Sequence, residues 1–212
     1  MGFGVALIGY AFLLLQDIGG GLFAALTMGY GFFLASRLND NFLRASVSAL
    51  FMLPRGVVQL CSLFGLFVLE DLPVLNTVTY LLHIGAWMLS SYFWLTAVIQ
   101  IARDNGATKL ENKARNRLVL TVTFLCFSAA VPLLNLNGVL GNLAFSVAAL
   151  QYILQYAVIF INFFFLHTCF ILITGERQYE RDKQEIAKER AKRLEKQQAE
   201  QREVSKRIGK RK

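Results

Sequence analysis

Charge, proline, cysteine and histidine are all scarce in this sequence, and each shortage removes a class of protein. Charged residues make up 17% of the 212 positions, and residues 1–175 hold only 8 Lys/Arg and 6 Asp/Glu, too few to solvate a globular surface of that length. The three prolines, Pro54, Pro73 and Pro132, leave room for long unbroken helices. The three cysteines, Cys61, Cys126 and Cys169, fall in separate apolar stretches without Cys-x-x-Cys spacing. A disulfide framework or zinc site is therefore not expected, and the three read as buried free thiols. No His-Glu-x-x-His, nucleophile elbow, Walker loop or Rossmann glycine pattern occurs, and the apolar stretches contain no Asp or Glu. An enzyme is not expected, and neither a cofactor nor a metal is implied. The N-terminus lacks a charged n-region, and Ala6 stands where myristoylation needs Ser or Thr, so the first hydrophobic segment is expected to remain in the protein.

What remains is overwhelmingly apolar: 55% hydrophobic residues, with 18 Phe. The fold class predicted is all-α, a polytopic membrane bundle of six transmembrane helices followed by a charged C-terminal cytoplasmic helix. Residues 3–36 would make a rod of about 50 Å, longer than a hydrocarbon core of about 30 Å. The polar pair and three glycines of Gln16-Asp17-Ile18-Gly19-Gly20-Gly21 mark the break. The spans are placed at about 3–15, 20–36, 43–69, 74–101, 118–134 and 149–174, with residues 103–117 a charged loop. The second carries Gly21, Ala25 and Gly29 at four-residue spacing, a face on which another helix can pack closely.

Basic residues test this count, because they collect on the cytoplasmic side. The connections at 36–44, 103–117 and 175 onward hold essentially all Lys and Arg, whereas those at 16–20, 70–73 and 135–142 hold none. This alternation predicts both termini in the cytoplasm and insertion in the plasma membrane.

Arg55 is the one basic residue inside an apolar segment. A helix over 43–69 would put it about 16 Å from Arg44 and about 22 Å from Glu70, near the bilayer middle. Insertion of a central Arg costs about 2.5–3.5 kcal/mol, which the Leu, Val and Phe of the segment offset at about 0.3–0.6 each, provided that Arg55 turns away from lipid. At 100° per residue Arg44, Ser48, Arg55, Gln59 and Ser62 share one side. The alternative is an interfacial helix over 42–53 with Arg55 snorkelling to the cytoplasmic face. A second stripe runs through Asn76, Tyr80, His83, Trp87, Ser90 and Trp94, and a third through Gln151, Gln155, Asn162 and Cys169. Such faces hydrogen-bond between helices or line a polar cavity. The candidate interior polar residues are Arg55, Gln59, His83, Asn162, Gln155 and Ser48.

Residues 176–212 carry 14 Lys/Arg against 8 Asp/Glu and no proline, which predicts a solvated charged helix. Its basic end suits anionic lipid or a cytoplasmic partner, with nucleic acid not expected. Two functions fit these features. The first is a transporter-type or solute-binding membrane subunit for a small polar or anionic solute, working with other membrane subunits or as a homo-oligomer. The second is a non-enzymatic scaffold whose stripes pack against partner helices and whose tail recruits them.

Overall fold

A computed structural model describes residues 2–136 and 139–173, which are all-helical with no strand among them. The charged helix expected over 176–212 lies outside the described residues. The chain divides after Cys169 into two units, and the bundle with its contacts and pocket belongs to the first, Met1–Cys169. The helices are α1 (Gly2–Leu13), α2 (Gly20–Ala35), α3 (Asp40–Leu50), α4 (Leu53–Leu63), α5 (Pro73–Asp104), α6 (Thr108–Leu136) and α7 (144–173). Four rods are long and apolar enough to cross a membrane: Asp40–Leu63, Pro73–Asp104, Thr108–Asn135 and Gly141–Ile173. By composition and length these are compatible with the spans of an integral membrane protein. α1 and α2, with 12 and 16 residues, reach only about 18 and 24 Å.

The break between α1 and α2 is a 3-10 turn, Gln16–Ile18, closed by Gly19 at φ 88°, a left-handed conformation that a side chain would strain. The first of these rods, Asp40–Leu63, is broken into α3 and α4. Pro54 has no N–H to offer the Leu50 carbonyl, and the ladder tightens there into three-residue bonds, Phe51 N to Ser48 O and Met52 N to Ala49 O, both 3.1 Å. The continuous helix expected over 43–69 is thus two helices, and the second stops at Leu63, six residues early, before an exposed apolar stretch that includes Phe64, Leu66 and Val68.

The expected loop over 103–117 is also shorter than its charge implies. Only 105–107 leave helical geometry, and Thr108 to Arg117 form the first turns of α6. Lys, Glu, Ala and Arg are strong helix formers, and Glu111 accepts from Arg115 one turn on (2.8 Å) and from Arg103 of α5 (3.1 Å).

Packing follows from where the small residues lie. α1 and α2 meet backbone to backbone: a Cβ on Gly31 would stand 2.3 Å from the Ala6 nitrogen, and one on Gly2 would stand 2.3 Å from the Gly31 carbonyl oxygen. The opposite face of α2 carries Gly21, Ala25 and Gly29. Gly21 looks onto Gly56 and Gln59 of α4, Ala25 is buried, and Gly29 lies against Leu50 of α3. Ser46 of α3 donates to the Gly29 carbonyl (2.6 Å), and Ser90 of α5 donates to the Ala45 carbonyl (3.0 Å). α5 packs on α3, α4 and α6.

Aromatic side chains fill the half of the bundle that ends in the basic connections. Phe3, Phe32, Phe42, Tyr10 and Trp94 are fully or almost fully buried, with Phe32 between Phe42 and Trp94 at centroid separations of 6.2 Å. The Trp94 indole N–H donates to the Tyr10 hydroxyl (3.0 Å), and Phe165 of α7 packs 6.0 Å from Trp94. All three thiols are free, but only Cys169 is buried; Cys126 is exposed, with its sulfur 3.9 Å from that of Met88 on α5.

Candidate functional site

At the other end of the bundle the helices diverge around a pocket of about 270 Å³. Its walls come from the α1–α2 turn, α4, the first turns of α5, the last of α6 and the first of α7. Asp17 and Asn135 lie exposed at the lip, and His83 and Gln155 are buried at 4% and 3% exposure.

Arg55 projects from the start of α4, just past the bend, into this pocket. Its Nη1 donates to the Asn76 side-chain carbonyl (2.5 Å), with longer contacts to the Asn76 backbone carbonyl (3.3 Å) and Thr79 Oγ1 (3.4 Å). The guanidinium carbon lies 5.8 Å from the centre of the Tyr80 ring, a cation–π distance. Among the described residues no acceptor engages Nε or Nη2. Arg55 therefore points into the pocket, away from the end of the bundle where the basic connections lie.

Three further side chains put unpaired polar atoms at the pocket. Both ring nitrogens of His83, Nε2 of Gln155 and Oε1 of Gln16 are buried with no hydrogen-bond partner among the described residues. The Met52 backbone approaches the imidazole without completing a hydrogen bond. A buried polar group left unpaired costs about 1–3 kcal/mol, so this much unmet capacity around one space marks a place where water or a polar solute completes the bonding. Gln59 joins them on the α4 wall, and Gln151 of α7 donates to the Tyr80 hydroxyl across the pocket.

Asp17 supplies the second charge. Desolvation by the surrounding protein pushes its carboxyl pKa up from the ordinary carboxylate value, and the Arg55 guanidinium pulls it back down. The two feel each other's charge yet form no ion pair.

Of the six residues singled out from the sequence, the pocket gathers Arg55, Gln59, His83 and Gln155. Ser48 and Asn162 lie elsewhere. Ser48 is buried in α3 and donates to the Arg44 carbonyl one turn back (2.8 Å). Asn162 is fully buried between α7 and α6, where its Nδ2 donates to Thr121 Oγ1 (2.9 Å). Neither lines the pocket: Ser48 bonds within its own helix, and Asn162 bonds between α7 and α6 while its Oδ1 has no partner among the described residues. Gln16, Asp17 and Asn135 are additions that the stripes do not contain. Asp17 was legible only as a helix breaker, although it is the sole charge in the first 36 residues.

Among the described residues no group of three His, Cys, Asp or Glu is placed to hold a metal ion. Comparison with family models, with curated proteins and with solved structures finds no match to this chain.

Proposed function

We propose that this protein is a multi-pass membrane subunit that binds a small polar solute, of the transporter or solute-binding kind, and that it is not an enzyme. The observation that carries this reading is the convergence of Arg55 with the unpaired buried atoms of His83, Gln155 and Gln16 on one pocket. Intramembrane polar groups are costly, and Ser90 and the Asn162 amide N–H bond between helices. Trp87 Nε1, Ser91 Oγ, Ser128 Oγ and Asn162 Oδ1 are also buried without a partner among the described residues, but it is at this pocket that several such atoms gather beside a guanidinium. At about 30 Å³ per water in the liquid, the pocket matches the room of about nine waters, or a solute of about ten non-hydrogen atoms. Other membrane subunits or further copies of the chain would supply energy coupling.

Six spans, with both termini in the cytoplasm and the bundle in the plasma membrane, complete the proposal. The alternation of basic connections supports the orientation however α1 and α2 sit. If each crosses, the count is six; if they enter and leave from one side as a hairpin, it is four. Either way α3 starts from the side of the N-terminus, and the pocket opens away from the basic connections.

The test is solute-induced thermal stabilisation of the purified protein in nanodiscs, read by emission of its two buried tryptophans, Trp87 and Trp94. The probes are small amino acids, carboxylates, amines and sugars at millimolar concentration. At least one should raise the midpoint for the native chain and for Asn162→Leu, which lies outside the pocket, and fail to do so for Arg55→Ala. No shift with any probe, or an undiminished shift in Arg55→Ala, overturns the reading.

A further inference from the structure

The charges that face the pocket sharpen the class of solute, an inference that rests on the solute-binding reading above. Among the described residues Arg55 is the only cation that lines it and Asp17 the only anion, so the pocket is neutral overall. A site built for an anion would keep its guanidinium uncompensated, because a fixed carboxylate nearby repels the ligand. A site with no charge to recognise would have let the two form an ion pair, whose attraction offsets part of the cost of desolvating each. Neither is seen. The carboxylate and the guanidinium line one pocket and form no ion pair with each other.

The Arg55 geometry adds an independent constraint. Nη1 is the nitrogen that Asn76 and Thr79 engage, and this fixes the plane of the guanidinium. The edge formed by Nε and Nη2 is left without an acceptor among the described residues. That edge presents two parallel N–H groups, the arrangement that a carboxylate fits with both its oxygens. Asp17, on the turn ahead of α2, is the complementary end, where an ammonium would find the exposed carboxylate and the Tyr152 ring of the facing wall. The same pocket is lined by Gln59, Gln155 and Gln16, whose amides both donate and accept, and by the unpaired His83 nitrogens.

From this arrangement we infer that the pocket takes a zwitterion of the amino-acid class, its carboxylate on the free edge of Arg55 and its ammonium at Asp17. The amide-rich lining suits a solute whose body also carries hydrogen-bonding groups. A solute of about ten non-hydrogen atoms fits the volume, on the same scale of about 30 Å³ per water.

The experiment uses the full chain in nanodiscs and isothermal calorimetry with five probes: L-glutamine, L-alanine, 4-carbamoylbutanoate (glutamine without its ammonium), 4-aminobutanamide (glutamine without its carboxylate) and the uncharged sugar D-glucose. Expected is binding of one or both amino acids, with the two singly charged analogues at least tenfold weaker than glutamine or undetected. Asp17→Asn should lose most of the preference for glutamine over 4-carbamoylbutanoate, and Arg55→Gln most of that over 4-aminobutanamide. Thermal midpoints of both variants without solute would show that they fold. Binding of 4-carbamoylbutanoate equal to that of glutamine, unchanged by Asp17→Asn, would make this an anion site and overturn the inference while leaving the solute-binding reading intact. The same holds if only an uncharged solute, such as a sugar, binds. Failure of every probe, sugars included, overturns both.

Discussion

Replacing Gly56 with Ala tests whether the crossing of α4 over α2 sets the position of Arg55. A Cβ at residue 56 would lie 2.4 Å from the Leu22 nitrogen, 2.7 Å from its Cα and 2.9 Å from the Gly21 carbonyl carbon. These are backbone atoms within a helix, so no rotamer change relieves the clash, and the helices must part by about 1 Å to reach an ordinary 3.4 Å contact. Overpacking of this kind costs about 1–3 kcal/mol, and the gap it opens loses dispersion along the rest of the contact. Alanine gains about 0.5–1 kcal/mol over glycine in a helix, leaving a net loss of about 1–2 kcal/mol. For a chain of this length that lowers the unfolding midpoint by about 2–4 °C per kcal/mol. The neighbouring Arg55 and Gln59 shift by a comparable distance, and solute affinity should fall about tenfold, or about 1.4 kcal/mol. Gly85, in the middle of α5, is the control: no atom lies within 4 Å of its would-be Cβ, so Gly85→Ala should be neutral or slightly stabilising. Midpoints from tryptophan emission during heating, together with solute titrations, decide the matter. Equal midpoints and equal affinities for the two variants would show that α2 and α4 do not cross at Gly21 and Gly56, and the account of how Arg55 is positioned would fall.

Two other expectations concern the sealed end and the orientation. Tyr10→Phe removes the acceptor of the buried Trp94 indole N–H, and should destabilise by about 1–3 kcal/mol and alter the tryptophan emission; a variant as stable as the native chain would mean that this bond does not tie α1 to α5. In a chain whose cysteines at 61, 126 and 169 are replaced by Ala, a membrane-impermeant maleimide applied to intact cells should label Asn142→Cys and spare Asn105→Cys. Labelling in the reverse pattern would invert the assigned orientation, and labelling of both would remove the span between them.

The helices were legible in the sequence because apolar run length and breaker residues act locally. The sign of each connection was legible because Lys and Arg collect on one side whatever the helices do between. The three polar stripes were legible at the level of which side of a helix they occupy. What the sequence did not resolve was depth. Asn76, Tyr80 and His83 belong to the same stripe as Ser90 and Trp94, yet the first three line the pocket and the last two bond to α3 and α1. The difference arises where α5 runs from a region of diverging helices into one of close contact, and that depends on residues elsewhere in the chain. Gly31 and Gly2, for instance, let α1 and α2 touch, but they share no four-residue series with Gly21, Ala25 and Gly29. Asp17 was hidden for a related reason: its chemistry needs Arg55, 38 positions away, and the bend at Pro54 brings the two to one space.

That contrast between the two ends has a physical logic of its own. Where small residues lie on both partners, as Gly31 does on Ala6, backbones meet and large rings from Phe3, Phe32, Phe42 and Trp94 close the remaining space. Tyr10, Trp94 and Ser90 find partners there, whereas the buried Ser91 hydroxyl has none among the described residues. At the opposite end Gln59, His83, Gln151 and Gln155 replace aromatic or aliphatic packing, and the volume that rings would fill is instead lined by amides, an imidazole and two opposite charges. Filling it with leucines would remove several uncompensated desolvation costs and leave a more stable bundle. A chain otherwise so spare with polar residues keeps these where they weaken its packing, and that cost is offset only if something polar occupies the space.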